Sequence, residues 1–246
     1  KFGINSEEET ILRTRENQRD NATARSRLFA VSSLDISPRD TLNGELSLSV
    51  QRYDTPSRQN YDDRDELSLV AGLEYSHRFS DLLSASLSFD MQLHHLVFLK
   101  ARRSALNNWN RIIRFGPKVY YRSKYVSLRP SFEVLANYTV YDFEEFSSGI
   151  NSFSFRQISY RDSIGIRLSE SVSIQSGIVM KYYERGILYW DSFSETPQNG
   201  NFEQFTKLML IYGDSYRYSF GVGARYYRLD QKKLSSGTGG GFGSSI

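Results

Sequence analysis

The chain has 246 residues, 31 Lys and Arg against 28 Asp and Glu, and no cysteine, so a disulfide framework and a thiolate metal site are both excluded. Its cations are scattered among its acids rather than gathered into a stripe, which argues against nucleic acid as a partner. No window approaches the roughly 18–20 uninterrupted apolar residues of a spanning helix, yet the negative mean hydropathy leaves open a sheet that gives every second residue to lipid.

Residues 1–23 are mostly charged, and Ser6-Glu7-Glu8-Glu9 fits a capping box for a short helix; with Ile11 and Leu12 as their apolar pair, these residues read instead as a polar surface segment. No basic-then-apolar leader follows Lys1, so any secretory signal has been removed or lies outside this sequence. Ten period-two runs follow, at approximately 25–37, 42–54, 66–79, 83–100, 111–122, 126–142, 153–168, 172–189, 204–212 and 216–229.

The fourth run is the cleanest. Leu83, Ala85, Leu87, Phe89, Met91, Leu93, His95, Val97 and Leu99 share one parity, and Ser84, Ser86, Ser88, Asp90, Gln92 and His94 the other. Such a run, about 17 residues, exceeds the usual strand of roughly 3–10. At about 3.3 Å per residue and a 45° tilt it rises roughly 40 Å, against a lipid band of about 25 Å. The sheet is therefore expected to project beyond the membrane.

The connectors alternate. Short ones are Ser37-Pro38-Arg39-Asp40-Thr41, Ser80-Asp81-Leu82, Ser123-Lys124-Tyr125, Ser169-Glu170-Ser171 and Gly213-Asp214-Ser215; long ones span about 55–65, 101–110, 143–152 and 190–203. Aromatic residues gather near strand ends, among them Tyr75, Phe79, Tyr120, Tyr121, Tyr182, Tyr183, Tyr189, Trp190, Tyr226 and Tyr227. This pattern over residues 24–229 resembles bacterial outer-membrane β-barrels. The resemblance implies an all-β, antiparallel up-and-down transmembrane barrel, with about ten strands here, residence in the outer membrane, and lipid as the first partner. Residues 230–246, with Gly237-Thr238-Gly239-Gly240-Gly241, read as a loop or tail.

Ten strands put both ends of the set on the long-loop side, whereas barrels of this kind keep both termini in the periplasm. The favoured resolution is that the chain is a segment of a larger barrel. The others are a strand count off by one at each end, and long connections that face the periplasm. The terminal aromatic strand usual for such barrels is also missing: Ser244-Ser245-Ile246 stands there, and Gly223 to Tyr227 is the nearest match.

Inward parity carries Glu74, Arg78, Asp90, His94, Arg114, Lys118, Arg129, Glu133, Lys181, Arg217 and Arg225, with Glu45, Arg122 and Arg167 beside them. Excess cation there predicts a pore for small or anionic solutes, whereas an Arg–Glu network would fill and stiffen the lumen. The alternative function is a non-conducting envelope scaffold that binds proteins or glycans through projecting strands and loops. Arg102, Arg103, Trp109 and Arg111 form a candidate glycan or lipopolysaccharide loop, Arg forks for phosphate and Trp for a sugar face.

No catalysis, cofactor or metal is expected. Ser86, Ser88, His94, Asp90 and Asn137 share the inward parity, but nothing in the sequence brings them together. His94 and His95, adjacent on a strand, point to opposite faces and cannot chelate jointly. His95 and His77 read as interfacial residues.

Overall fold

A computed structural model describes residues 21–56, 60–146, 149–214 and 218–234. Arg217, the capping-box residues and the glycine-rich tail lie outside the described residues. Alternation drives what is described into one antiparallel sheet. Its strands are β1 (Ala22–Ser37), β2 (Asp40–Asp54), β3 (Arg64–Arg78), β4 (Leu83–Phe98), β5 (Asn108–Arg122), β6 (Val126–Leu128), β7 (Ser131–Tyr141), β8 (Phe153–Arg167), β9 (Val172–Tyr189), β10 (Ser194–Asp214) and β11 (Tyr218–Lys233). Neighbours in sequence are neighbours in space throughout, and β6 and β7 together bridge β5 to β8. The eleven strands thus form ten staves.

Two expectations are corrected. The run 126–142 is two strands, because Pro130 has no N–H and the ladder lapses there; Pro117 lies in β5 beside the gap, and Val119 N–H donates to the Pro130 carbonyl at 2.9 Å. Residues 190–203 are not a long loop: β10 begins at Ser194, opposite Tyr189, and forms a projecting hairpin with β9. Pro197 is absorbed at a register shift between Pro197 and Asn199, and the turn is closed by Phe193 at φ 49°.

The register fixes which side chains share a face. One face carries Leu83 to Leu93 of β4, Ile113 to Tyr121 of β5, Ile158 to Ile166 of β8 and Val172 to Tyr182 of β9, each at every second residue. These side chains are apolar or small, with Asp162 as an exception whose Oδ2 accepts the Tyr160 hydroxyl at 3.3 Å. This is the exposed face: Leu73 is 50 % and Phe89 46 % accessible. The first charged or titratable residue beyond it is Arg52 on β2, Asp65 on β3, His95 on β4, Arg111 on β5, Arg156 on β8, Glu184 on β9 and Arg228 on β11.

An apolar belt therefore starts at the short turns and spans 9 residues in β5 and 11 in β4. At about 3.3 Å per residue and a 45° tilt that is roughly 21–26 Å, the height of the lipid band of a membrane barrel. Above it the strands continue, and charged side chains stand among apolar ones on the outward face as well.

The sheet is open. β1 and β11 each have one neighbour, and among the described residues their outer edges pair with nothing, including each other. β11 is exposed along its whole length and β1 as far as Ile36, Leu28 to 74 % and Val222 to 70 %.

Candidate functional site: the polar face and the upper rim

The polar face is built by small residues that let long ones cross. Glu45, Gly72, Asp90 and Arg114 lie in one cross-strand row. A Cβ on Gly72 would meet the Glu45 side chain at 2.8 Å and the Asp90 carboxylate at 3.1 Å, so the two acids lean over the bare glycine. One row lower, Glu74 stands opposite Ser88 and Gly116, and Lys118 reaches it across β4 at 3.2 Å. Ser88 donates to the Gly116 carbonyl at 3.1 Å. A hollow of about 140 Å³ collects Asp90, Arg114, Lys118, Glu133 and Arg161.

Arg78, Lys118, Arg122, Arg129, Arg161, Arg167, Lys207 and Arg225 occupy the short-turn half of this face. Cations exceed acids there. Hollows of about 580 Å³ and 460 Å³ open among them, the first lined by Arg39, Arg78, Lys118 and Arg129, the second by Arg122, Lys124, Arg129 and Arg167. Lys181 pairs with Glu203 at 3.2 Å. Register places Glu133 opposite Ser159 and Arg225 opposite Lys207 on the same face.

His94 and His95 do take opposite faces. On the polar face His94 Nε2 is 3.5 Å from Glu66, whose carboxylate also takes Arg64 at 2.7 Å. Asn110, opposite His94, donates to Asn137 at 2.8 Å. Outward, the His95 ring stacks on Trp109 at 4.0 Å and its Nε2 lies 3.1 Å from Asp142. His77 Nδ1 meets Asp40 at 2.6 Å on the outward face beside a short turn.

The candidate loop around Trp109 is taken apart by the structure. Arg102 and Arg103 belong to a 3₁₀ turn, Ala101–Leu106, and clasp the β2–β3 connection: Arg102 lies 5.0 Å from the Tyr61 ring, while Arg103 pairs with Asp62 and covers Phe98 at 4.4 Å. Trp109 and Arg111 are not in the loop, because β5 begins at Asn108 and continues its outward parity through both. Arg111 lies 5.7 Å from the Trp109 ring and 4.3 Å from that of Trp190 at the tip of β9.

Asp63 ties the upper rim together. It accepts from the Thr55 N–H at 2.7 Å and from its hydroxyl, pairs with Lys100 at 2.9 Å, and its backbone carbonyl takes Leu99 N–H at 2.9 Å. Hydrogen bonds from Thr55 and Lys100 hold its carboxyl below the usual aspartate range. A depressed folded pKa adds stability that is present above the unfolded value of about 3.9 and is lost as pH falls through the folded one. Amide exchange at Thr55 and Leu99 is expected to accelerate below about pH 4, beyond the intrinsic rate change, and to be fast at neutral pH in Asp63→Ala; unchanged protection would contradict this.

A single antiparallel meander with a lipid-height apolar belt on one face and a charged opposite face defines the class: the fold is that of the outer-membrane β-barrels. No protein-family model matches the chain, and no curated protein sequence matches it. Among solved structures, the outer membrane transporter YddB from Escherichia coli is similar over 86% of this chain and 35% of that one, at 10% identity and a TM-score of 0.56. The chain thus spans about a third of the transporter's length. The β domain of the Bordetella autotransporter BrkA aligns over 87% of this chain and 86% of that one, at 10% identity and a TM-score of 0.37, too low to bear on the fold.

Proposed function

We propose that these ten staves are one wall of a bacterial outer-membrane barrel that passes solutes, with the polar face lining the passage and further strands closing it on both sides. The open edges carry this reading. Each is 16 residues long and crosses the apolar belt, and in hydrocarbon every unpaired backbone group costs several kcal/mol, so a spanning sheet must close. The transporter's similarity, which takes in about a third of its length, fits a wall rather than a whole barrel.

Passage of small or anionic solutes follows from the cations of the short-turn half, which lower the barrier for negative charge. Arg114, Lys181 and Arg225 are read as lining groups, and His94 as a partner of Glu66 without a catalytic part. A plugged envelope scaffold is the second reading, favoured by the Arg156–Glu184–Glu195 cluster on the projecting β8–β10 region, with Arg156 at 3.4 and 3.2 Å from the two acids. Planar-bilayer recording of the protein containing this chain separates them. Stepwise openings with anion preference are expected, and the triple variant R122E/R167E/R225E, which reverses three cations of the short-turn half, is expected to reverse the preference. A correctly folded protein that stays silent would contradict passage and leave the scaffold.

A further inference from the structure

We propose that Arg111, between Trp109 and Trp190 on the outward face, is a docking site for the phosphate of a glycolipid in the outer leaflet. Arg111 is the first charged residue above the apolar belt of β5, directly beyond Ile113, and its side faces lipid. It therefore sits at headgroup height on the long-loop side. None of its guanidinium nitrogens has a hydrogen-bond or ion-pair partner among the described residues, and Nη1 is covered as well as unsatisfied. Asp142, the carboxylate whose charge reaches Arg111, makes its direct contact with His95 at 3.1 Å and not with the guanidinium.

Nε and Nη2, unpaired and not covered as Nη1 is, leave one edge of the planar guanidinium for a phosphate. The flanking indoles hold the guanidinium in place, Trp109 being stacked in turn on the His95 ring. Trp190 also lines a hollow of about 550 Å³ beside the cluster, together with Asp142, Glu144, Glu145 and Asp191. That acidic neighbourhood repels a free anion from solution; a phosphate held in the membrane by its own acyl chains arrives along the lipid face and avoids it. Charge and geometry together select an anchored ligand.

Trp109 and Trp190 are the 2 tryptophans of this chain, so the site carries its own reporter. The full protein in nonionic detergent is titrated with micelles containing diphosphorylated lipid A, with dephosphorylated lipid A, and with inorganic phosphate. The signal of a W109F/W190F variant is subtracted. A saturable change in tryptophan emission is expected with the phosphorylated lipid alone. In Arg111→Gln the apparent affinity is expected to fall about tenfold or more, as for loss of a charge-assisted hydrogen-bonded pair, with Arg111→Lys between. Arg52→Gln, an outward arginine above the belt whose guanidinium is already paired with Asp54 at 2.9 Å, is the control and should bind as the parent. Equal binding by Arg111→Gln or by the dephosphorylated lipid overturns the proposal, and an equal response to inorganic phosphate overturns the lipid source. Should Arg111→Gln not fold, Arg111→Lys decides, and parental affinity there counts against the fork. The outcome is independent of whether the protein conducts.

Discussion

Leu87→Arg is expected to destabilise the folded protein in lipid by about 2–4 kcal/mol, the cost of a cation near the bilayer midplane on the lipid side of a barrel. Leu87 lies near the middle of the belt of β4, opposite Tyr75 and Pro117, and is 42 % exposed. In water an exposed leucine is replaced by arginine at small cost, so a large penalty reports the solvent and not the packing. Val97→Arg makes the comparison. It has the same parity on the same strand but stands opposite Asp65, above the belt, where the penalty should fall to about 0–1 kcal/mol. Reversible denaturant unfolding in vesicles measures both. Equal, small costs at the two positions would show that residues 83–93 do not meet lipid.

Ala71→Pro is the second large effect. Ala71 lies in mid-belt on β3, opposite Leu46 of β2 and Met91 of β4, with unbroken ladders on both sides. Its N–H is therefore committed to one neighbour or the other. Proline removes that donor and leaves a carbonyl unpaired where no water can replace it, costing several kcal/mol. The variant is expected to lose the heat-modifiable folded band on gels and to fail refolding into vesicles. Pro130→Ala should be close to neutral, within about 0.5 kcal/mol, because the ladder already lapses there and the Pro130 carbonyl that receives Val119 N–H remains. A folded, stable Ala71→Pro protein would contradict the paired sheet.

How much of this was legible beforehand depends on range. Period-two runs are local, so ten staves, their parity and the short turns follow from adjacent residues such as Leu83 to Leu99. Turn chemistry misleads without its context: Pro197 and Gly200 mark a loop by composition, yet a bulge accommodates the proline within β10. Trp109 and Arg111 continue the outward parity of Ile113 and Phe115, a signal that was present in the sequence and masked by the basic cluster before them. By contrast, the joining of Arg111 to Trp190, of His95 to Asp142 and of Lys118 to Glu74 depends on register between strands far apart in the chain. No local pattern reports that. The same distinction separates the polar face, which parity predicts, from its basic short-turn half, which appears once neighbouring strands are aligned.

The central claim is that one parity of this sheet faces lipid over a belt that ends near Leu93. Nitroxide labels placed singly at each position from Leu83 to Leu99, in the protein reconstituted into vesicles, test it most directly through collision rates with oxygen and with a water-soluble nickel chelate. The account predicts that oxygen accessibility alternates with period two, is high at odd residues 83–93, peaks near Leu87 and Phe89, and gives way to the nickel reagent from His95 onward. Odd residues in the belt that are open to the nickel reagent, or a profile without alternation, would contradict it.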